Sequence, residues 1–119
     1  MNKQKILEAL GFYVSQDNGV CYLERMGMPK SLSQHMSESE AWNSVDLDAN
    51  FCFREIAPFV GSKGYSLRTG YDGAGYEAEI WDMRSMEPED YEGFGSACDE
   101  ENIETAILTA FESYLESKA

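Results

Sequence analysis

Apolar residues recur at helical spacing in three segments of this chain, which predicts three amphipathic helices. The clearest is the last one, which runs to about Glu116 and begins after a capping residue at Asp99 or Asn102. Its apolar stripe consists of Ile103, Ala106, Ile107, Ala110, Phe111, Tyr114 and Leu115. The first helix is shorter, over residues 2–10, and Gly11 is expected to end it.

The middle helix is predicted from residue 49 to about residue 60. Asp48 directly precedes it and has the side chain of an N-cap. Its apolar stripe consists of Cys52, Ile56, Phe59 and Val60. Proline lacks the backbone N–H that a helix needs, so Pro58 is expected to kink or stop this helix.

Alternating apolar and polar positions predict two β-hairpins between these helices. The first joins residues 12–16 to Val20–Arg25 through Asn18 and Gly19, a pair that favours a tight type I′ turn. With a two-residue loop, Val14 lies opposite Leu23.

The second hairpin joins Tyr65–Tyr71 to Tyr76–Asp82 through a four-residue loop. This register places Leu67 opposite Ile80 on one face and an ion pair between Arg68 and Glu79 on the other. A short fifth strand is predicted at 94–98. Residues 27–45 form a long loop, with one helical turn near 38–43.

The element order predicts one α+β domain over residues 1–119. A small antiparallel sheet, made of two hairpins and a fifth strand, is expected to pack against about three helices in the order αββαββ(β)α. This arrangement gives every apolar face a partner surface.

Charge is the strongest compositional signal. The 119 residues include 22 acids and 9 Lys and Arg, a formal net charge of −13. Between residues 69 and 117 the sequence has one base, Arg84, and fourteen acids. Such a field repels nucleic acid and anionic membranes and attracts basic protein surfaces. The plainer interpretation is that the acids keep the protein soluble.

Location is inferred from segments that the chain lacks. No apolar run is long enough to span a bilayer, and the first residues do not have the pattern of a signal peptide. The three cysteines, Cys21, Cys52 and Cys98, are odd in number and form no CxxC pair, which indicates reduced thiols. We therefore expect a cytoplasmic protein.

Short motifs mark the beginnings of several predicted elements. They are Leu10-Gly11-Phe12, Asp46-x-Asp48-Ala49, Gly64-Tyr65-Ser66-Leu67, Tyr76-x-Ala78-x-Ile80, and Asn102-Ile103-Glu104-Thr105-Ala106-Ile107 followed by Ala110-Phe111. With these motifs the chain resembles the phage ABA-sandwich-type proteins over nearly its whole length, apart from residues 28–45. It departs from them where Asn102 or Ile103 replaces a proline common near the start of the last helix. The resemblance implies a sheet between helical layers and a phage or prophage origin, and it implies no catalytic residue.

Candidate binding residues combine exposed aromatic side chains with acids of the second half of the chain. Tyrosine and tryptophan are the residues that most often dominate protein interfaces. The candidates are Tyr13, Tyr22, Asp72, Glu77, Glu79, Trp81, Asp82, Glu87, Glu89, Asp90 and Glu92. If their elements share one side of the fold, that side is the expected interface.

The patterns that could carry chemistry favour structural interpretations. Glu77 and Glu79 share a strand face and could act as acid and base, but an exposed face with a cross-strand ion pair fits them better. Asp46-x-Asp48-x-Asn50 lacks the glycine and the glutamate of a calcium loop and is better read as a helix cap. His35 is the only histidine, and nothing in the sequence pairs it with a cysteine.

These observations predict a non-enzymatic, acidic accessory protein of phage or prophage type in the bacterial host, without cofactor or metal. Its expected partner is a protein with a basic surface, as for an anti-defence inhibitor or a nucleic-acid mimic. Direct binding to nucleic acid or to a membrane is not expected. Two alternatives stay open: a small hydrolase based on clustered carboxylates or a metal, and a structural phage protein that self-associates, for example as a homodimer.

Overall fold

The α+β class and the predicted order of elements are confirmed. The computed structural model describes residues 2–27, 33–87, 89 and 92–118. The two hairpins lie in two separate antiparallel sheets, one of two strands and one of three, where the sequence predicted a single sheet. The chain divides into two compact units, Asn2–Asp46 and Leu47–Ala119. The single domain over the whole chain therefore stays a prediction.

The first unit is a hairpin packed against two short helices. Helix α1, Lys3–Ala9, leads into strands β1, Phe12–Asp17, and β2, Val20–Arg25, and helix α2, Glu38–Asn43, follows. The hairpin has the predicted register, with positive φ angles at Asn18 (53°) and Gly19 (78°) in its turn. The core of this unit consists of Ile6, Leu7, Leu10, Cys21, Leu23, Ala41 and Trp42.

The middle helix continues past its proline. It is built from α3, Ala49–Phe51, a π-helical turn, Cys52–Ile56, and α4, Ala57–Gly61. Asp48 caps it as predicted, because its Oδ1 accepts the N–H of Phe51 at 2.8 Å. Pro58 does not stop the helix: the backbone N–H of Ala57 donates to the carbonyl of Cys52 five residues back, and this wider turn stands directly before the proline ring.

The second unit packs its helices on a three-stranded sheet. Strands β3, Tyr65–Tyr71, β4, Tyr76–Asp82, and β5, Glu92–Glu100, are neighbours in that order, and β5 is longer than predicted. Helix α5, Ile103–Lys118, packs against β4 and β5. Of the two predicted caps, Asn102 is the one used, since its Oδ1 accepts the N–H of Thr105 at 2.9 Å.

The core of the second unit joins α5 to the middle helix and the sheet. Phe111 is fully buried and meets Phe59 edge to face, with ring centroids 5.7 Å apart. Ile80 and Ile56 are also fully buried. In the part of the chain that the structure describes, no helix has both the length and the apolar character needed to cross a membrane.

Candidate functional site on the three-stranded sheet

The β3–β4 hairpin has one face turned to α5 and one turned away from it. Ala78 and Ile80 of β4 are buried on the helix side, with 1% and 0% of their surface exposed. Side chains alternate along a strand, so Glu77, Glu79 and Trp81 lie on the opposite face. Three of the predicted binding residues are therefore adjacent because of strand geometry alone.

Trp81 is held in place by its neighbours on this outer face. Its indole Nε1 donates a hydrogen bond of 2.6 Å to Oε2 of Glu79. The guanidinium carbon of Arg68 lies 5.3 Å from the centre of the indole ring. The tryptophan is half-buried, so an edge of a fixed aromatic ring remains accessible.

The predicted ion pair between Arg68 and Glu79 is wrong, although the two residues are opposite each other as expected. Arg68 stacks on Trp81, and its Nη2 lies 4.0 Å from the sulfur of Met83. Glu79 accepts a hydrogen bond from the indole N–H instead. The indole lies close to both residues and offers each a contact: a ring face for the cation and an N–H for the carboxylate.

A recess of about 180 Å³ lies beside the tryptophan. Its lining residues are Arg68, Thr69, Glu77, Glu79 and Trp81. Two carboxylates and one guanidinium give this surface a net negative charge. We call these five residues the Trp81 face.

Two other predicted acids have local structural roles. Asp72 closes the β3–β4 turn, where its Oδ1 accepts the N–H groups of Ala74 at 2.9 Å and Gly75 at 3.1 Å. Asp82 lies on the helix-side face of β4 and forms a bidentate pair with Arg84 at 2.8 and 2.7 Å. The hydrogen bonds from Arg84 lower the pKa of Asp82 to about 2. The structure therefore separates Asp82 from the Trp81 face.

The remaining acidic candidates follow β4. Glu87 and Glu89 are exposed. Asp90 lies outside the described residues, and so does the side chain of Glu92, whose backbone pairs with Asp82 at the start of β5. The participation of these acids in a binding interface stays a prediction.

The tyrosine candidates belong to the first unit. Tyr13 on β1 is 45% exposed, and Tyr22 on β2 is half-buried on the same hairpin face. Tyr13 also borders a cleft of about 310 Å³ that includes Trp42, Glu8 and Glu38. The sequence did not reveal this cleft, because Trp42 is buried only when α2 packs against α1 and the hairpin.

The buried cysteines and the single histidine have structural surroundings in the part of the chain that the structure describes. Burial raises the pKa of the Cys52 thiol to about 12, and the charges of Glu104 and Asp48 act in the same direction, so the thiol stays protonated. His35 pairs with Cys21 through backbone hydrogen bonds of 2.8 and 2.9 Å. Among the described residues, no three His, Cys, Asp or Glu side chains are grouped to hold a metal ion.

Comparison of the chain with protein-family models, with curated proteins and with solved structures finds no match.

Proposed function

We propose that this protein is a non-enzymatic binding protein whose Trp81 face contacts a basic surface of another protein. The observation that carries the proposal is the position of Trp81, half-buried and fixed between Glu79 and Arg68 on a rigid strand pair. An aromatic ring that is already ordered loses little conformational entropy on binding. Tryptophan is also the residue type most enriched among binding hot spots.

Charge supports a basic partner. Glu77 and Glu79 border the ring, and the whole chain carries a formal net charge of −13. A field of that sign speeds the encounter with positively charged surfaces and disfavours acidic ones. Lysine and arginine side chains of the partner would pair with the two carboxylates beside the accessible part of the indole.

The hydrolase alternative has weaker support. It needs clustered carboxylates in a sheltered pocket, whereas Asp82 is bound to Arg84 on the opposite face of β4. Glu77 and Glu79 line a recess of only about 180 Å³, and Glu77 is exposed to solvent. Nothing in this arrangement favours a second function over binding.

We further propose that the partner is a host protein whose basic surface normally binds nucleic acid. The protein would then act as a phage or prophage accessory protein in the bacterial cytoplasm, for example as an anti-defence inhibitor. The support is the motif resemblance to phage proteins together with the excess of acids in the second half of the chain. DNA should then compete with this protein for its partner.

The test is capture from a bacterial lysate with four immobilised baits. The baits are the natural chain, Trp81→Ala, Glu77→Gln/Glu79→Gln, and the control Glu101→Gln/Glu116→Gln, which removes two exposed acids elsewhere. We expect a basic protein on the natural chain and on the control that is reduced on the other two baits. Added DNA and salt raised from about 0.05 to about 0.5 M should release it.

Three results would count against parts of the proposal. Equal retention of the basic protein on all four baits would remove the Trp81 face from the interaction. If no basic protein is retained at low salt, the proposed binding function is contradicted. Release by salt but not by DNA would leave a basic partner and reject the nucleic-acid mimic.

A further inference from the structure

Three of the nine lysine and arginine residues of this acidic chain line a single cleft in the second unit. They are Lys63, Arg84 and Lys118. The cleft has a volume of about 330 Å³ and lies where the end of α4, the start of β3 and the end of α5 meet. This concentration of positive charge is unrelated to the Trp81 face and is unexpected in a chain with so few bases.

The walls of the cleft are aromatic. Tyr65 and Tyr114 are 5% and 2% exposed and meet edge to face, with ring centroids 5.0 Å apart. Phe59 and Leu115 complete the apolar lining. A lining of buried rings with a few polar groups is typical of a site for a small organic molecule, and this volume lies at the small end of that range.

The three cations are arranged over these rings. The Nζ of Lys63 lies 5.0 Å from the centre of the Phe59 ring, and the guanidinium carbon of Arg84 lies 5.0 Å from that of Tyr65. The Nζ of Lys118 lies 4.7 Å from the Tyr65 centroid and donates a hydrogen bond to its hydroxyl group.

The side chain of Arg84 packs closely against the backbone at Gly64. Gly64 has a φ of +86°, and a Cβ atom there would lie 2.5 Å from Cγ of Arg84, so the arginine stem crosses the chain where no side chain fits. Asp82 then binds the guanidinium through two hydrogen bonds, which use two of its five N–H donors.

We propose that this cleft binds a phosphate monoester attached to a planar ring. Three cations line the cleft and favour an anion such as a phosphate monoester, which carries a charge of about −1.5 to −2 at pH 7. The ring of the ligand packs on the apolar lining of the cleft, and its phosphate lies toward Lys63 and Lys118. A nucleoside monophosphate and a simple aryl phosphate share this chemistry.

The experiment is calorimetric titration of the full chain with matched probes. Phenyl phosphate supplies ring and charge, inorganic phosphate supplies charge alone, and phenol supplies the ring alone. We expect phenyl phosphate to bind at least about tenfold more tightly than either. Adenosine monophosphate distinguishes the sources: tighter binding than phenyl phosphate identifies a nucleotide site, and weaker binding an aryl phosphate site.

Variants connect the binding to these residues. Lys63→Met/Lys118→Met should weaken binding of phenyl phosphate by at least about tenfold, and Lys5→Met, an exposed lysine of the first unit, should leave it unchanged. Lys63→Met alone serves if the double variant is unstable, since Lys63 is exposed. Binding should also weaken below about pH 6, where the phosphate gains a proton.

Two outcomes would overturn the inference. One is the absence of saturable phenyl phosphate binding up to about 10 mM. The other is equal affinity of the Lys63→Met and Lys5→Met variants. Either result would leave the cleft as packing between α5 and the sheet, and neither bears on the proposed protein-binding face.

Discussion

At the scale of single residues, the cleft depends on a glycine. Gly64 has a left-handed backbone conformation and lies under the stem of Arg84. The sequence showed Gly64 only as part of the Gly64-Tyr65-Ser66-Leu67 motif, because a close approach between residues twenty positions apart leaves no local pattern.

Gly64→Ala should destabilise the protein. A side chain in the left-handed region costs about 1–2 kcal/mol, and the contact with Arg84 adds to that. Urea denaturation measures the change in unfolding free energy. The control is Gly61→Ala at the end of α4, where a Cβ meets nothing within 4 Å and φ is not positive. This control should be neutral or stabilise by up to about 1 kcal/mol. Equal effects of the two substitutions would contradict the assignment.

Asp82 should make stability depend on pH on the acid side. Its pKa in the folded protein is lowered to about 2 by hydrogen bonds from Arg84, against about 3.9 in an unfolded chain. A lowered pKa stabilises the fold above the unfolded value, and that contribution disappears as the pH falls toward 2. The difference in urea midpoint between the natural chain and Asp82→Asn should therefore shrink between about pH 4 and pH 2. In an Arg84→Gln background this pH-dependent difference should be absent, and its persistence would contradict the pairing.

At the scale of elements, helices and hairpins follow closely from the sequence. The Asn18-Gly19 turn and the four-residue loop set both hairpin registers, and the spacing from Ile103 to Leu115 predicted the buried side of α5. These features depend on neighbours along the chain or across one turn, which a sequence pattern records directly.

Other features of the elements depend on long-range contacts, and the sequence did not reveal them. One of these features is the π-helical turn before Pro58. Another is the stacking of Arg68 on Trp81 in place of an ion pair with Glu79. The division into two sheets is a third, because alternating strands do not indicate which hairpins become neighbours.

The Trp81 face could be predicted in part, through Glu77, Glu79 and Trp81. The cationic cleft could not, because its residues come from three distant segments.

Two phenylalanines provide a matched test of the packing of α5. Phe111 is fully buried, and Phe53 is 47% exposed. Phe111→Ala should lower the unfolding free energy by about 3–5 kcal/mol, since it removes buried contacts and leaves a cavity. Phe53→Ala should cost about 1 kcal/mol or less, as expected of a largely exposed site. Chemical denaturation of both variants decides this, and a similar loss for each would contradict the described core.

At the scale of the whole molecule, four described acids of the second unit have separate positions and roles. Glu77 and Glu79 lie on the Trp81 face, Asp82 pairs with Arg84, and Asp72 closes a turn. The net charge of −13 acts at longer range than any of these contacts and should raise the rate of association with a basic partner. Short-range recognition is then assigned to one aromatic ring and its two neighbouring carboxylates.

The most direct test is the affinity of the captured basic partner for the purified variants. We predict that Trp81→Ala weakens binding by at least about thirtyfold, the loss expected at a hot spot worth about 2 kcal/mol. The control Glu101→Gln/Glu116→Gln should change the affinity by no more than about threefold, because exposed charges outside the interface act only through the long-range field. If Trp81→Ala binds as tightly as the natural chain, or if the control loses as much affinity as Trp81→Ala, the Trp81 face is not the binding site.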